Sequence, residues 1–96
     1  MKSKKISINN IDAFVFDFDG VLTDNSVIIS QNGSESVVCS RADGLAFNAL
    51  KKMHKPAFII SSEKNKVVKI RAEKIGATAF YGVSDKVKAL KKIIKN

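Results

Sequence analysis

Residues 11–24 read IDAFVFDFDGVLTD, and the architecture of the chain can be argued from this segment outward. The apolar run at residues 13–16 is typical of a parallel strand that is buried on both faces. Two carboxylates, Asp17 and Asp19, follow it, at the end of a strand where open α/β sheets bind ligands. Like charges this close require a cation or a proton between them, and Mg²⁺ binds carboxylate oxygens while leaving room for substrate phosphate. Gly20 permits a tight turn whose N–H groups can approach an anion, so the segment predicts a magnesium-assisted phosphate site.

The remainder of the chain alternates between strand and helix patterns. Two β-prone runs flank the pair Asn32-Gly33, a strong hairpin signal, so we expect a hairpin at about residues 26–40. Further strands are predicted at residues 57–60 and 78–81. Helices are predicted from residue 43, from residue 65 to about residue 75, and from residues 84–85. Strands that alternate with helices imply right-handed crossovers and therefore an α/β fold with a parallel sheet.

The first helix is predicted to begin with Asp43 as its cap. Its apolar face is expected to comprise Leu45, Ala46, Ala49, Leu50 and Met53.

Length and composition predict one small soluble domain over residues 1–96, with 45% apolar and 27% charged residues. The net charge of +8 comes mostly from lysines, which concentrate in a basic tip at residues 2–5 and in the last ten residues. Only two arginines occur, and no aromatic residues alternate with the lysines. Nucleic-acid surfaces favour both residue types, so we expect no nucleic-acid binding, and the lysines instead help to steer anionic substrates.

The single cysteine and the short apolar runs bear on the compartment. Cys39 has no partner for an internal disulfide and lies in an apolar stretch, so we expect a packed thiol in a reducing environment. No apolar run approaches the roughly 20 residues that cross a bilayer. The sequence therefore predicts a cytoplasmic protein without a membrane segment.

Residues 17–24, Asp-Phe-Asp-Gly-Val-Leu-Thr-Asp, resemble the first motif of the haloacid dehalogenase superfamily. The resemblance is closest to its capless branch of 3-deoxy-D-manno-octulosonate 8-phosphate phosphatases and acylneuraminate (nonulosonate) 9-phosphate phosphatases, and it extends over nearly the whole chain. It implies a Rossmann-like fold with a hairpin insertion after the first strand. It also implies that Asp17 is the nucleophile that forms an aspartyl-phosphate, and that Asp19 is the general acid and base.

The resemblance carries further implications for cofactor, substrate and assembly. It implies that Mg²⁺ is held by Asp17 and Asp19, and that the substrate is a 2-keto-3-deoxy sugar acid phosphate from sialic-acid or octulosonate biosynthesis. Because the hairpin is too small to close over the site, capless relatives use it to pack into a homotetramer, and we expect the same here.

The resemblance also assigns binding residues outside the first motif. Ser61 follows the strand at residues 57–60 and would bind phosphate together with Gly20, with Ser62 as the competing choice. Lys86 would neutralise the phosphoryl group and the nucleophile.

Three residues are assigned to the substrate. Asp43 lies in the helix opening that the family shares. Glu63 stands where octulosonate phosphatases carry arginine. A glutamate there, with Lys74 further along the helix, favours a nine-carbon nonulosonate phosphate. The alternative is that Glu63 and Lys74 are ordinary solvent-facing helix residues.

The pattern departs from the family near the C-terminus. The family's fourth motif, an acidic cluster on a further strand, supplies the third carboxylate ligand, but no Asp or Glu follows Asp85 in this chain. We therefore expect a C-terminally truncated fold that binds Mg²⁺ weakly and turns over poorly by itself.

The sequence is also compared with two other functional classes. One is a non-catalytic remnant that serves as an oligomerisation module or as an accessory to a CMP-acylneuraminate cytidylyltransferase. The other is a response-regulator receiver domain. The receiver is disfavoured because no Asp ends the strand at residues 57–60 and because receivers lack the hairpin.

Overall fold

The computed structural model describes residues 6–95. The outermost residues of the predicted domain 1–96, including the basic tip at residues 2–5, lie outside the described residues. A short 3₁₀ helix, Ile8–Asn10, precedes the first strand. The strands are β1 (Phe14–Phe16), β2 (Ile28–Ile29), β3 (Glu35–Ser36), β4 (Ala57–Ile60) and β5 (Thr78–Phe80), and the helices are α1 (Arg41–Lys52), α2 (Val67–Ile75) and α3 (Lys86–Lys95).

The main sheet is parallel and three-stranded, with the order β1-β4-β5. Phe16 pairs with Ile59, which in turn pairs with Ala79, so the three strands are in register near their carboxyl ends. The segments that follow β1, β4 and β5 therefore emerge at the same edge of the sheet. The parallel α/β architecture predicted from the alternating pattern is confirmed.

The hydrophobic core lies between the sheet and the helices α1 and α2. Phe18 and Ile59 are completely buried, and the ring of Phe16 packs against that of Phe47 with centroids 5.0 Å apart. The buried core cluster comprises Phe18, Leu22, Phe47, Ala57, Ile59, Val68, Ala72 and Ile75. Two core residues, Phe18 and Leu22, belong to the loop after β1, so the core itself fixes the position of the acidic motif.

The prediction that the first strand is buried on both faces is wrong. Val15, in the middle of β1, is 40% exposed, whereas three of the four residues of β4 are buried. The difference follows from strand order, because within residues 6–95 β4 pairs on both sides and β1 on one side only. An apolar run in the sequence does not distinguish the two positions.

The first helix starts earlier than predicted, and of its predicted apolar face Leu50 packs against the core. α1 begins at Arg41, and its cap is Ser40, whose Oγ accepts a hydrogen bond from the N–H of Ala42 at 3.2 Å. Asp43 lies in the first turn instead. The buried residue of the helix is Phe47, whereas Leu45 is 75% exposed.

The hairpin and the end of α2 match the sequence signals. β2 pairs antiparallel with β3, with Gly33 at φ +85° in the connecting turn, although both strands are shorter than the predicted runs. A bridge between Thr23 and Cys39 joins the base of the hairpin to the acidic motif. Gly76 ends α2 at φ +79°. Within residues 6–95, no helix is long and apolar enough to cross a membrane.

Candidate active site

The site is centred on Asp17, the first residue after β1. Its Oδ1 accepts a hydrogen bond from the N–H of Phe18 at 2.8 Å and from Nζ of Lys86 at 3.1 Å. Lys86 is the first residue of α3 and follows β5, whereas Asp17 follows β1. Both side chains are about half exposed, at 47% for Asp17 and 46% for Lys86, so the ion pair is accessible to a ligand.

A tight turn positions the acidic motif. The carbonyl oxygen of Phe18 accepts hydrogen bonds from the N–H groups of Leu22 at 2.8 Å and Thr23 at 3.2 Å. Thr23 is buried, and its Oγ1 accepts from the N–H groups of Gly20 and Asn25, each at 3.1 Å. Gly20 has φ +78°, a conformation that favours glycine.

This turn gives the N–H of Gly20 a partner within the chain. It donates to Thr23 Oγ1, and the predicted binding of phosphate by Gly20 stays a prediction. The sequence analysis predicts no separate role for Thr23, which it includes only as part of the motif. The available signal was its spacing, because a hydroxyl three residues after a turn glycine can accept from that glycine's N–H.

Asp19 lies near further acidic residues. Partial burial raises the pKa of Asp19 above its ordinary value, the nearby carboxylates of Glu63 and Asp17 raise it further, and Lys86 lowers it. Asp19 and Glu63 line one cavity of about 220 Å³, together with Glu35 of the hairpin. The raised pKa thus reports the crowding of carboxylates around Asp19.

Ser61 and Ser62 are placed differently. Ser61 is 1% exposed, and its Oγ accepts a hydrogen bond from the N–H of Glu63 at 3.1 Å. Its backbone is tied to the segment after β5, because its N–H donates to Phe80 O and its carbonyl accepts from Val83 N. Ser62 is exposed at the same strand end. Both hydroxyls thus lie at the carboxyl end of β4, but Ser61, which the sequence favoured, is buried.

The remaining predicted substrate residues separate into two groups. Glu63 lies at the cavity beside Asp19, and its Oε1 accepts from Asn65 N at 2.9 Å. Lys74 is exposed in the last turn of α2 and does not line that cavity. Asp43 lines a different cavity, of about 270 Å³, beside Thr23. Of these three residues, only Glu63 is placed beside the acidic pair.

The donor set suits a hard cation that is held partly by water and substrate. Among the hydrogen bonds of residues 6–95, none uses Oδ2 of Asp17 or the carboxylate of Asp19. No group of three or more metal-binding side chains is formed within this range. Mg²⁺ is commonly held by one or two carboxylates with waters and substrate phosphate, so Asp17 and Asp19 fit it.

Among known proteins, solved structures match this chain. No protein-family model matches the chain, and no curated protein does. The solved structure of a HAD family hydrolase from Streptomyces avermitilis matches with 40% identity and a TM-score of 0.88, over 94% of this chain and 52% of that one.

Phosphatase structures match at similar scores. The 3-deoxy-D-manno-octulosonate 8-phosphate phosphatase of Moraxella catarrhalis, solved with magnesium ion, phosphate ion and KDO, has 32% identity and a TM-score of 0.83, over 88% of this chain and 49% of that one. The Yersinia pestis enzyme of the same name has 26% identity and a TM-score of 0.85, over 90% and 47%. The chain spans about half the length of each of these structures.

Proposed function

We propose, on the premise that the chain has the haloacid dehalogenase fold of the solved hydrolases that it matches, that it carries the nucleophile of a phosphomonoesterase. The observation that carries the proposal is the contact of 3.1 Å between Lys86 Nζ and Asp17 Oδ1. It places a cation beside a half-exposed carboxylate at the edge of the sheet where the three parallel strands end. Phosphoryl transfer depends mainly on such positioning and charge stabilisation.

The proposed reaction has two steps. In the first, a carboxylate oxygen of Asp17 attacks phosphorus, the bond from phosphorus to the sugar oxygen breaks, and Asp19 donates its proton to that departing oxygen. In the second, Asp19 accepts a proton from water, whose oxygen attacks the aspartyl-phosphate, releasing inorganic phosphate and restoring Asp17. Lys86 stabilises the negative charge on the phosphoryl oxygens in both steps.

Asp17 and Asp19 are the residues that would hold Mg²⁺. When bound, the ion would neutralise phosphoryl charge and reduce the repulsion between the two carboxylates. Support comes from the unused carboxylate oxygens of the pair and from the magnesium and phosphate ions in the M. catarrhalis structure.

The proposed substrate is a 2-keto-3-deoxy sugar acid phosphate, either an octulosonate 8-phosphate or a nonulosonate 9-phosphate. The KDO molecule in the M. catarrhalis structure supports this class. Glu63, at the cavity beside Asp19, would accept hydrogen bonds from sugar hydroxyls, which favours the longer and more hydroxylated substrate. Self-association through the hairpin is part of the proposal, because Ile28 and Ile29 are 54% and 70% exposed there.

A second function is favoured by the grouping of the acidic residues. Residues 6–95 bring several carboxylates to the site, but no group of three or more metal-binding side chains is formed there. A chain with this donor set could act without catalysis, as an oligomerisation module or as an accessory to a cytidylyltransferase.

Trapping of the phosphorylated or beryllofluoride-bound aspartate distinguishes the two functions. Incubation with Mg²⁺ and acetyl phosphate, or with beryllofluoride, is expected to modify Asp17, as detected by peptide mass spectrometry for the phosphate and by fluorine NMR for beryllofluoride. Asp17→Asn should abolish the signal. Lys86→Gln should reduce it by about tenfold or more, because one charge-assisted contact to the transferred group is lost.

The matched control is Lys88→Gln, which removes one charge from the same helix and should leave the signal unchanged. Turnover of p-nitrophenyl phosphate by this chain is expected to be poor. Modification of a residue other than Asp17 would contradict the mechanism, and complete absence of modification would favour the non-catalytic function.

A further inference from the structure

The edge strand β5 leaves backbone groups open to a partner. Within residues 6–95, β5 pairs with β4 on one side only. The carbonyl of Phe80 is directed at β4, because it accepts a hydrogen bond from Ser61 N at 2.9 Å. Consecutive peptide groups of a strand point in opposite directions, so the carbonyls of Ala79 and Tyr81 point away from β4. β5 therefore has a free side on which another strand can pair.

This free side lacks the features that commonly protect the edge of a sheet. Natural edge strands carry lysine, proline or a bulge, which prevent pairing with another chain. Residues 78–80 are Thr-Ala-Phe, without a charged residue or a proline. Phe80 and Tyr81 are 39% and 36% exposed. The edge is therefore suited to pairing rather than protected from it.

A cavity of about 340 Å³ lies beside the free side, between β5 and α2. Three alanines line it, Ala72, Ala77 and Ala79, and their small side chains leave room for a second backbone. Its charged residues are Lys69 and Glu73, which are one turn apart on α2. Within residues 6–95, neither of them forms an ion pair. We call the free side of β5 and this cavity together the β5 face.

The order of the two charges along β5 follows from the chain direction. α2 ends at Ile75 and packs against β5, which begins at Thr78, so the short connection makes α2 antiparallel to β5. Lys69, the earlier residue on α2, therefore lies towards the end of β5, and Glu73 lies towards its start. The β5 face thus has a positive charge at one end and a negative charge at the other.

A second copy of the chain fits this arrangement. In an antiparallel pair of β5 strands centred on Ala79, a twofold axis exchanges the two ends of the β5 face. Lys69 of one copy then lies at the level of Glu73 of the other, and symmetry forms the reciprocal contact. A purely acidic or purely basic strand would meet a like charge at one of these two residues, so the charges favour self-pairing.

We propose that two copies of this chain pair through the β5 face. The two β5 strands lie antiparallel in one continuous sheet, and Lys69 and Glu73 form ion pairs across the twofold axis. The proposal goes beyond the phosphomonoesterase, and its interface is separate from the exposed hairpin. The dimer is expected to be weak, because the face is far smaller than the roughly 1,600 Å² of a standard interface and the net charge of +8 opposes association.

The test measures self-association by sedimentation equilibrium. The background chain carries Ile29→Glu, which places a charge on the exposed hairpin and so removes the association proposed there. We expect a reversible equilibrium between monomer and dimer as the protein concentration rises from about 10 to about 500 μM.

A charge swap in this background locates the interface. Lys69→Glu leaves two acids on the β5 face and Glu73→Lys leaves two bases, so each variant alone should dimerise at least about tenfold more weakly. The two variants mixed should form a heterodimer, detected by native mass spectrometry with one variant labelled with heavy nitrogen. The double variant, Lys69→Glu with Glu73→Lys, should dimerise like the background chain.

The matched control is Lys66→Glu, which makes the same change of charge near α2 but outside the cavity and should leave association unchanged. Hydrogen exchange supplies a backbone readout. The amides of Ala79 and Tyr81 should exchange more slowly as the concentration of the background chain rises, and this effect should be lost in Lys69→Glu. Circular dichroism confirms that each variant retains its helices.

Each other outcome overturns the proposal. These outcomes are a monomer at every concentration, equal association of Lys69→Glu and Lys66→Glu, no heterodimer in the mixture, and slowed exchange confined to the hairpin or to α3. Trapping of Asp17 should be equal in all the charge variants. If the dimer forms while no modification of Asp17 can be trapped, the phosphatase proposal fails and the dimer proposal stands.

Discussion

At the scale of single residues, Thr23 determines whether the acidic motif keeps its shape. Its buried Oγ1 accepts hydrogen bonds from the N–H groups of Gly20 and Asn25. Thr23→Val keeps the shape of the side chain but leaves both donors without this partner, so the free energy of unfolding should fall by about 1–3 kcal/mol. Urea titration followed by circular dichroism measures the change.

Thr23→Ser serves as the matched control, because it retains the hydroxyl. It should cost less than Thr23→Val, with the remainder due to the lost methyl group. Equal destabilisation by both substitutions would show that packing, rather than the two hydrogen bonds, holds the turn.

The thiol of Cys39, which lies away from the acidic pair, makes stability depend on pH. Burial raises the pKa of the Cys39 thiol above its ordinary value of 9.0, Asp43 and Asp24 raise it further, and Arg71 lowers it. Its effect on stability is therefore absent below about pH 9.0. Above pH 9.0 the thiol of the unfolded chain ionises while that of the folded chain stays protonated. Stability is therefore lost as the pH rises from 9.0 through the higher pKa of the folded state.

The prediction for Cys39 is slow alkylation in the folded protein. Iodoacetamide should react more slowly with the native chain than with the urea-unfolded chain, and the native rate should rise at a higher pH. Cys39→Ala should remove the thiol's contribution to the loss of stability in this range. Equal rates for native and unfolded protein would contradict the raised pKa.

The sequence indicates that the acidic motif follows a strand and forms a tight turn, but not which groups bond to each other there. Asp17 directly follows β1 and Asp19 lies two residues later, so the visible apolar run predicts where both lie, whereas Glu63 was assigned only through the resemblance. The burial of Ser61 and the use of Gly20 N–H by Thr23 could not be predicted, because both depend on which backbone donor lies nearest in three dimensions.

At the scale of elements, α1 ends at a residue whose backbone conformation is strained, and a substitution can relieve that strain. His54 has φ +57°, and its N–H donates to Lys51 O while Lys55 N donates to Leu50 O, the arrangement of a Schellman cap. Glycine adopts this conformation without the steric cost that a side chain incurs. His54→Gly should therefore raise the free energy of unfolding by about 0.5–1 kcal/mol.

Thermal and urea unfolding measure this effect, and His54→Ala is the matched control. Alanine also removes the imidazole but keeps a Cβ, so it should give no gain. A gain with alanine equal to that with glycine would assign the effect to loss of the imidazole and not to the backbone.

The orientation of α1 shows that an apolar pattern alone does not predict which face of a helix is buried. Two overlapping apolar faces are present in its sequence, one with Leu45 and the other with Phe47. The structure buries Phe47 against Phe16 and leaves Leu45 exposed. Because the choice depends on the partner ring in β1, no count of apolar residues within the helix could have made it.

At the scale of the whole molecule, uncompensated charge should make stability depend on salt. The net charge is +8, and residues 6–95 form a single ion pair. Self-repulsion opposes the compact state, and salt screens it, since the Debye length falls from about 30 Å at 0.01 M to about 3 Å at 1 M. The midpoint of thermal unfolding should therefore rise as sodium chloride is added.

A variant with Lys91 and Lys95 both changed to glutamine supplies the control. These exposed lysines lie on α3, away from the Asp17 contact, and their removal should raise the midpoint at low salt and flatten the salt dependence. A midpoint that is independent of salt in the parent chain would contradict net self-repulsion.

The Asp17–Lys86 contact also has a consequence for biosynthesis, because it joins residues 69 positions apart. On the ribosome the aspartate is translated 69 residues before its lysine. A nascent chain thus exposes the carboxylate long before the ammonium group can reach it. Competence for chemistry at this residue should therefore begin only after Lys86 has left the ribosome.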